Sequence, residues 1–245
     1  MGAGLMSERT IELIREIRAL GVHFVYVTGA RKSTLEVRLP IMGCVDAAFA
    51  ETGGRYLAEE CSKLDESWTS TMEAVCGPEN TSLPPLDRTG DLWDWARMLD
   101  AQGYVIDARS YYFGFRVDLD KQEREDLGQV DKFREFVDAN MPSSLATAMN
   151  LGKFDFFPKV SGKGNAVRHY LSSHGFSADE AVALFDDEND LPMADAVGRC
   201  FVMQATHPAI EAAVKTNPNW HVATSVGVLA TEEVLSSLLA ECRHD

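Results

Sequence analysis

Apolar runs broken by glycine and polar turns set the rhythm of the chain. Ser7-Glu8-Arg9-Thr10 has the composition of a helix cap, and Ile11, Ile14, Ile17 and Leu20 then recur at helical spacing. Gly21 ends that pattern, and Val22 to Val27 follow as a strand dominated by β-branched and aromatic residues. Helix, glycine, buried strand is the signature of a doubly wound α/β layer. The strand stops at Thr28-Gly29-Ala30-Arg31, a second helix is predicted from Ser33-Thr34, and Val45 to Phe49 forms a shorter apolar run closed by Glu51-Thr52-Gly53-Gly54-Arg55.

From about residue 58 to 155 the chain becomes richer in charge and aromatic side chains, with a loop-like stretch from Gly77 to Gly90. Leu92 to Ala101 reads as a helix with Trp93, Ala96 and Leu99 on one side. Val105 to Arg109 and Tyr111 to Leu119 read as strands, Lys121 to Asn140 as a charged surface helix, and Asp155 to Pro158 as a strand end. This block is predicted to be an inserted α+β domain. The α/β rhythm resumes at Gly162, with helices over Asn165 to His174, Pro192 to Val197, Pro208 to Lys215 and Glu232 to Cys242. Strands are predicted over Ala181 to Phe185 and Arg199 to Met203. The expected architecture is a Rossmann-like doubly wound parallel sheet, residues 1–57 and 156–245, carrying an inserted α/β cap over residues 58–155.

Composition narrows the chemistry. The 245 residues are 45% hydrophobic and 25% charged, with a formal net charge of −15. That balance suits a globular chain and argues against nucleic acid or an anionic membrane as partner. No run of 18 apolar residues spans a bilayer, and no secretory signal is visible, so a cytoplasmic setting is expected. Cys44, Cys61, Cys76, Cys200 and Cys242 are scattered and odd in number, which favours free thiols over zinc or a disulfide framework. Asn80-Thr81-Ser82 fits the glycosylation triplet and is read as chance.

Three segments carry candidate chemistry. Thr28 sits where a strand meets the following helix, the edge at which doubly wound sheets bind ligands. A hydroxyl plus free backbone N–H groups can hold a phosphate oxygen there. Ser161-Gly162-Lys163-Gly164-Asn165 places a lysine between glycines at a helix mouth; Phe157 excludes a Walker loop, and Val167 excludes a dinucleotide fingerprint. Phe185-Asp186-Asp187-Glu188-Asn189-Asp190 packs acids at the end of an apolar strand, an arrangement that is costly without a cation or a lysine among them. Hard oxygen ligands of this kind suit Mg2+ beside a phosphate. Leu191 and Val197 exclude an EF-hand, standing where glycine and glutamate are needed.

Taken in the order Thr, Lys, Asp-x-x-Asn-Asp, the set resembles the haloacid dehalogenase-like hydrolase superfamily, in its Cof-type and sucrose-phosphatase-like branch. Ala50 to Arg55 is similar to that branch's Glu-Asn-Gly-Gly turn, with Thr52 for asparagine. Phe201-Val202-Met203 and Ser225 to Val228 also fit, and the inserted block falls where the branch carries its cap. The resemblance implies a Mg2+-dependent phosphatase acting on a small phosphorylated metabolite such as a sugar phosphate. It implies Thr28, Lys163 and Asp186 as catalytic residues, and Asp186 and Asp190 at the metal. Thr28, Gly29, Arg31, Lys163 and Asn189 would contact phosphate, and Arg109 and Arg116 the leaving group.

One element of the resemblance is missing. The family's nucleophile lies in an Asp-x-Asp strand shortly before the position of Ser7, and nothing before Thr10 supplies it. The expectation is an amino-terminal truncation that removes a central strand and leaves the chain inactive as it stands. A non-catalytic binding pseudoenzyme and a phosphomannomutase-like phosphomutase are the alternatives. Oligomeric state stays open, with the cap or an exposed sheet edge as candidate dimer surfaces.

Overall fold

The computed structural model describes residues 6–42, 45–79, 82–119, 128–150, 153–205 and 207–244. Helix α1 (Glu8–Ala19) is capped by Ser7, whose hydroxyl accepts the Thr10 amide at 2.9 Å, and it buries Leu13, Ile14 and Ile17. Its return strand β1 (Val25–Val27) pairs in parallel with β2 (Ala47–Ala50). Between them lies α2 (Lys32–Met42). Strands β3 (Arg55–Ala58) and β4 (Lys63–Leu64) add antiparallel to β2. β2 is buried at all four positions, as an apolar central strand requires.

The central body of the molecule is α/β, as the sequence implies, but its sheet comes in two pieces. The second piece is all parallel, in the order β11 (His221–Val222), β10 (Arg199–Val202), β9 (Val182–Phe185). Around it lie α6 (Lys163–His174), the short α7 (Leu191–Ala194), α8 (Pro208–Thr216) and α9 (Val228–Cys242). α1 packs on α9 through Leu13, Ile14, Ile17, Val234, Leu235 and Leu238.

Residues between the two pieces form a third sheet in the order β5 (Ile106–Asp107), β6 (Phe115–Asp118), β8 (Lys153–Pro158), β7 (Leu145–Asn150). Its pairings are antiparallel throughout. One face is covered by α4 (Asp91–Ala101) and α5 (Gln129–Asn140), and α3 (Glu66–Cys76) leads from the first sheet toward it. Phe113, Phe115, Phe133, Phe154 and Phe156 fill the space with Trp93 and Trp95 in a stacked and edge-on aromatic core.

Several elements are shorter than the sequence pattern predicts, for identifiable reasons. The strand expected over Val22 to Val27 starts at Val25, because Asp46 closes the ladder below it: the Asp46 carboxylate accepts the Phe24 amide at 2.7 Å. The strand expected over Tyr111 to Leu119 starts at Phe115, because the Tyr112 and Phe113 amides donate to the Glu51 side chain instead of a neighbouring strand. The last helix begins a turn earlier than expected, directly after Gly227, whose φ is +59°. Helix α3 and strand β7 have no counterpart in the sequence reading. Part of the charged helix expected over Lys121 to Asn140 lies outside the described residues, as do Cys44, Asn80 and Thr81. Cys61, Cys76, Cys200 and Cys242 are free thiols.

Between β1 and β9 runs a cavity of about 1330 Å³. Val25, Tyr26 and Val27 line one wall, Val182 to Asp186 the other, and α1 and α6 close it above and below through Ile14, Ile17, Val167 and Tyr170. In a parallel ladder alternate residues turn their backbone groups to alternate sides. Phe24, Tyr26 and Thr28 serve β2, and Ala183 and Phe185 serve β10, so Val25, Val27 and Leu184 direct theirs into the cavity. Hydrogen-exchange NMR should therefore find the Val25, Val27 and Leu184 amides exchanging faster than those of Tyr26 and Phe185. Equal protection on both sides of each strand would contradict the split sheet.

Candidate active site

The carboxyl ends of β1 and β9 bring the three sequence segments to one place. Thr28 follows β1, its amide donating to the Phe49 carbonyl at 2.9 Å and its hydroxyl accepting the Ala30 amide at 3.1 Å. The Thr28 carbonyl accepts the Thr52 amide at 3.0 Å, and the Thr52 carbonyl accepts the Gly162 amide at 2.9 Å. This chain of backbone bonds runs from the first segment to the start of α6, where Lys163 stands. Gly53 makes the approach feasible: a Cβ there would meet the Gly162 carbonyl oxygen at 2.8 Å.

Lys163 is buried and reaches the acidic turn. Its Nζ donates to Asn189 Oδ1 at 2.6 Å and forms an ion pair with Asp190, itself only 7% exposed. Such a pair is stable underground only because cation and anion offset one another. The glycines on either side of Lys163 serve packing: Gly162 takes φ +95°, and a Cβ on Gly164 would lie 2.3 Å from the Pro192 carbonyl oxygen. Together they seat the helix start on the turn after the acids.

Asp186 follows β9 at the mouth of the cavity and is exposed there, although its carboxyl is partly desolvated by its neighbours. Burial first, then repulsion from Asp190 and Asp187, pushes its carboxyl above the ordinary range, with Lys163 opposing the rise. An acid held uncomfortably ionised among its neighbours is a fitting donor for a hard cation. Among the described residues no three acidic, imidazole or thiolate groups converge as a full metal cage. Mg2+ needs no such cage, since it binds through one or two carboxylates together with water and substrate phosphate.

The remaining candidates divide. Arg31 forms an ion pair with Asp107 of β5 and lies over the Tyr111 ring, 4.6 Å from its centroid. Arg116 of β6 is held by Asp155 of β8 through two bonds of 2.6 and 2.8 Å. A Cβ on Gly29 would lie 3.7 Å from Asp155 Oδ2 and 3.3 Å from Thr52 Oγ1, so this pair of arginines borders the Thr28 loop. Arg109 is exposed, outside this network. Strand β7 lies against the acidic turn Glu188–Asp190, placing the third sheet above the same site.

Three participants were not singled out from sequence. Glu51 is buried, and its Oε2 accepts the Tyr112 and Phe113 amides at 2.9 and 3.0 Å. Asp107 and Asp155 hold the arginines. Asp155 carried a readable signal, a charge between Phe154 and Phe156 in an otherwise aromatic strand.

Residues 119–225 match the haloacid dehalogenase-like hydrolase family. No curated protein sequence matches the chain. Among solved structures, the sucrose-phosphatase from Synechocystis sp., in complex with sucrose and phosphate, is similar over 97% of this chain and 93% of its own, at 14% identity and a TM-score of 0.69. A haloacid dehalogenase-like hydrolase from B. subtilis covers 95% and 92% at 13% identity and a TM-score of 0.62. The Aspergillus fumigatus trehalose-6-phosphate phosphatase covers 98% and 87% at 13% identity, with a TM-score of 0.55.

Asp186 also sets a test of stability. A carboxyl whose folded pKa is raised keeps its proton longer in the folded state, so stability falls as pH climbs from 3.8 through the raised value. Asp186→Asn should lose that part of the fall. In metal-free buffer its urea midpoint should exceed that of the parent chain at pH 7 and approach it toward pH 3.5. An identical difference at both pH values would contradict the assignment.

Proposed function

We propose that this chain, whose residues 119–225 match the haloacid dehalogenase-like hydrolase family and whose fold is shared along nearly its whole length, belongs to a Mg2+-dependent phosphoric monoester hydrolase. Its substrate is a small phosphorylated metabolite, a sugar phosphate in the first instance. The division into a core, residues 1–57 and 156–245, and a cap, residues 58–155, belongs to the same reading. The observation that carries it is the backbone chain from Thr28 through Thr52 to the start of the Lys163 helix, the bonds of Lys163 to Asn189 and Asp190, and Asp186 of the same acidic turn at the β1–β9 cavity.

In this reading the Thr28 hydroxyl and the Gly29 amide hold phosphoryl oxygens, aided by Asn189 and Lys163. Asp190 keeps the ammonium of Lys163 aimed at the site. Asp186, with Asp190 beside it, would hold Mg2+, whose charge offsets that of the phosphoryl group. The third sheet covers the site and shields the ester from water. The attacking carboxylate this chemistry needs would come from an Asp-x-Asp strand, and the β1–β9 cavity is a place that could receive one.

Two proteins test this: the chain as given, and one extended at its amino end by an Asp-x-Asp strand. Phosphate release from a panel of sugar phosphates should appear only in the extended form and vanish with EDTA. Lys163→Ala in that form should lower kcat by roughly 100-fold or more, the usual cost of one charge-stabilising donor. Absence of turnover in both forms on every ester would end the hydrolase reading. The open cavity favours a second reading for the chain as given, a binder of phosphorylated metabolites without turnover. Inorganic phosphate with Mg2+ should then raise its melting temperature, and unchanged melting would dismiss that reading.

A further inference from the structure

Thr52 adopts a backbone conformation that is costly for its residue type. Its φ of +54° and ψ of +37° lie in the left-handed region, where a β-branched side chain is an outlier and glycine or asparagine sits with less strain. The backbone of Thr52 is fully committed. Its amide donates to the Thr28 carbonyl at 3.0 Å, and its carbonyl accepts the Gly162 amide at 2.9 Å and the Ser161 hydroxyl at 3.2 Å. None of these bonds needs a threonine side chain. A strained residue whose backbone bonds a less strained type would also make implicates its side chain in function.

That side chain is placed to meet a ligand. Thr52 is only 6% exposed, yet among the described residues its hydroxyl has no hydrogen-bond partner. Arg31 Nε, Glu51 Oε1, Arg55 Nε and Trp95 Nε1 are also unpartnered but are sealed from solvent, and the Thr52 hydroxyl is not. It faces the Thr28 loop, since a Cβ on Gly29 would lie 3.3 Å from Thr52 Oγ1. Asp155 Oδ2 lies 3.7 Å from the same point, but Arg116 holds it at 2.8 Å and offsets its charge. We propose, resting on the hydrolase reading, that the Thr52 hydroxyl donates a hydrogen bond to an oxygen of the phosphoryl group held at the Gly29 amide.

The chemistry of the group supports this role. An ionised phosphoryl oxygen accepts and does not donate, so it needs O–H or N–H groups aimed at it in advance. The Thr28 hydroxyl already accepts the Ala30 amide at 3.1 Å, and Lys163 shares its ammonium between Asn189 and Asp190. The Thr52 hydroxyl has no such internal bond. Its β-branched side chain has few rotamers, and its backbone is pinned by three hydrogen bonds, so the donor is held in place before the ligand arrives. The branch that the sequence resembles carries asparagine here, which suits the left-handed region better; threonine brings a hydroxyl to the turn in its place.

Calorimetric titration of inorganic phosphate in Mg2+ buffer, on the parent chain, Thr52→Val and Thr52→Ser, makes the test. Valine keeps the branched shape and its strain but removes the hydroxyl, whereas serine keeps the hydroxyl. Thr52→Val should bind phosphate about tenfold more weakly or worse, the usual effect of losing one hydrogen bond to a charged group, while its urea midpoint stays level with the parent or rises. Thr52→Ser should stay within about threefold of the parent affinity. Parent-like affinity in Thr52→Val, a loss in Thr52→Ser as large as that in Thr52→Val, or no phosphate affinity in the parent chain would overturn the proposal. A urea midpoint that falls together with affinity would overturn it too, because a purely structural residue behaves that way. If Thr52→Val does not fold, Thr52→Ala, which removes the hydroxyl and the branch together, is held to the same criteria. Phosphate binding that ignores these substitutions removes this inference alone, whereas hydroxyl-dependent binding without turnover in the extended form keeps the contact and loses the hydrolase.

Discussion

The turn Glu51–Gly54 is the constraint on which the site depends. Glu51, Thr52 and Gly53 all take positive φ, at +54°, +54° and +91°. For the two non-glycine residues that conformation costs on the order of 1–3 kcal/mol each, and it persists only where surroundings fix it. Here they do so from four directions. The Glu51 amide donates to the Ala30 carbonyl and the Thr52 amide to the Thr28 carbonyl, at 2.8 and 3.0 Å. The Gly53 carbonyl accepts from the Trp68 indole at 2.8 Å, and the Thr52 carbonyl from Gly162. The Glu51 carboxylate binds the backbone before β6. One turn thus fixes the Thr28 loop, the start of α6 with Lys163, and the approach of the third sheet.

Glu51 bears an electrostatic cost for this role. Burial pushes its carboxyl above the usual range, against the two amides and Arg55 that favour its ionised form. Asp186 is raised for a related reason, with like charges added. Both groups work against folding at neutral pH, and they sit in the part of the molecule where the chemistry is proposed. The cavity between β1 and β9 belongs with them: two parallel edges left facing one another forgo ladder bonds that a continuous sheet would make. Stability is given up in several places around one site, a pattern expected where function sets the geometry.

Much of this was legible in the sequence. The helical spacing of Ile14 and Ile17, the apolar run before Asp186 and the aromatic-rich middle of the chain led to the correct element types, because burial of one face dictates each pattern. Thr28, Lys163 and the acidic turn stood out because their residue types are expensive or conspicuous at element ends. What stayed hidden depends on long-range contact. Strand β6 is short because a glutamate some sixty positions away takes its amides. Arg31 and Arg116 were expected at phosphate and leaving group, yet Asp107 and Asp155 neutralise them through pairings of strands that no local pattern encodes. Helix α3, with Trp68, Met72 and Cys76 buried but Thr and Ser throughout, has too weak an apolar stripe to announce itself.

The central claim is that Thr28, Lys163 and Asp186 surround one phosphoryl position. A crystal structure of the chain soaked with tungstate, a heavy phosphate mimic located by its anomalous signal, addresses it directly. The account places the anion within hydrogen-bond distance of the Thr28 hydroxyl, the Gly29 amide and Lys163 Nζ. Tungstate bound elsewhere, with this position left to solvent at saturating concentration, would contradict it.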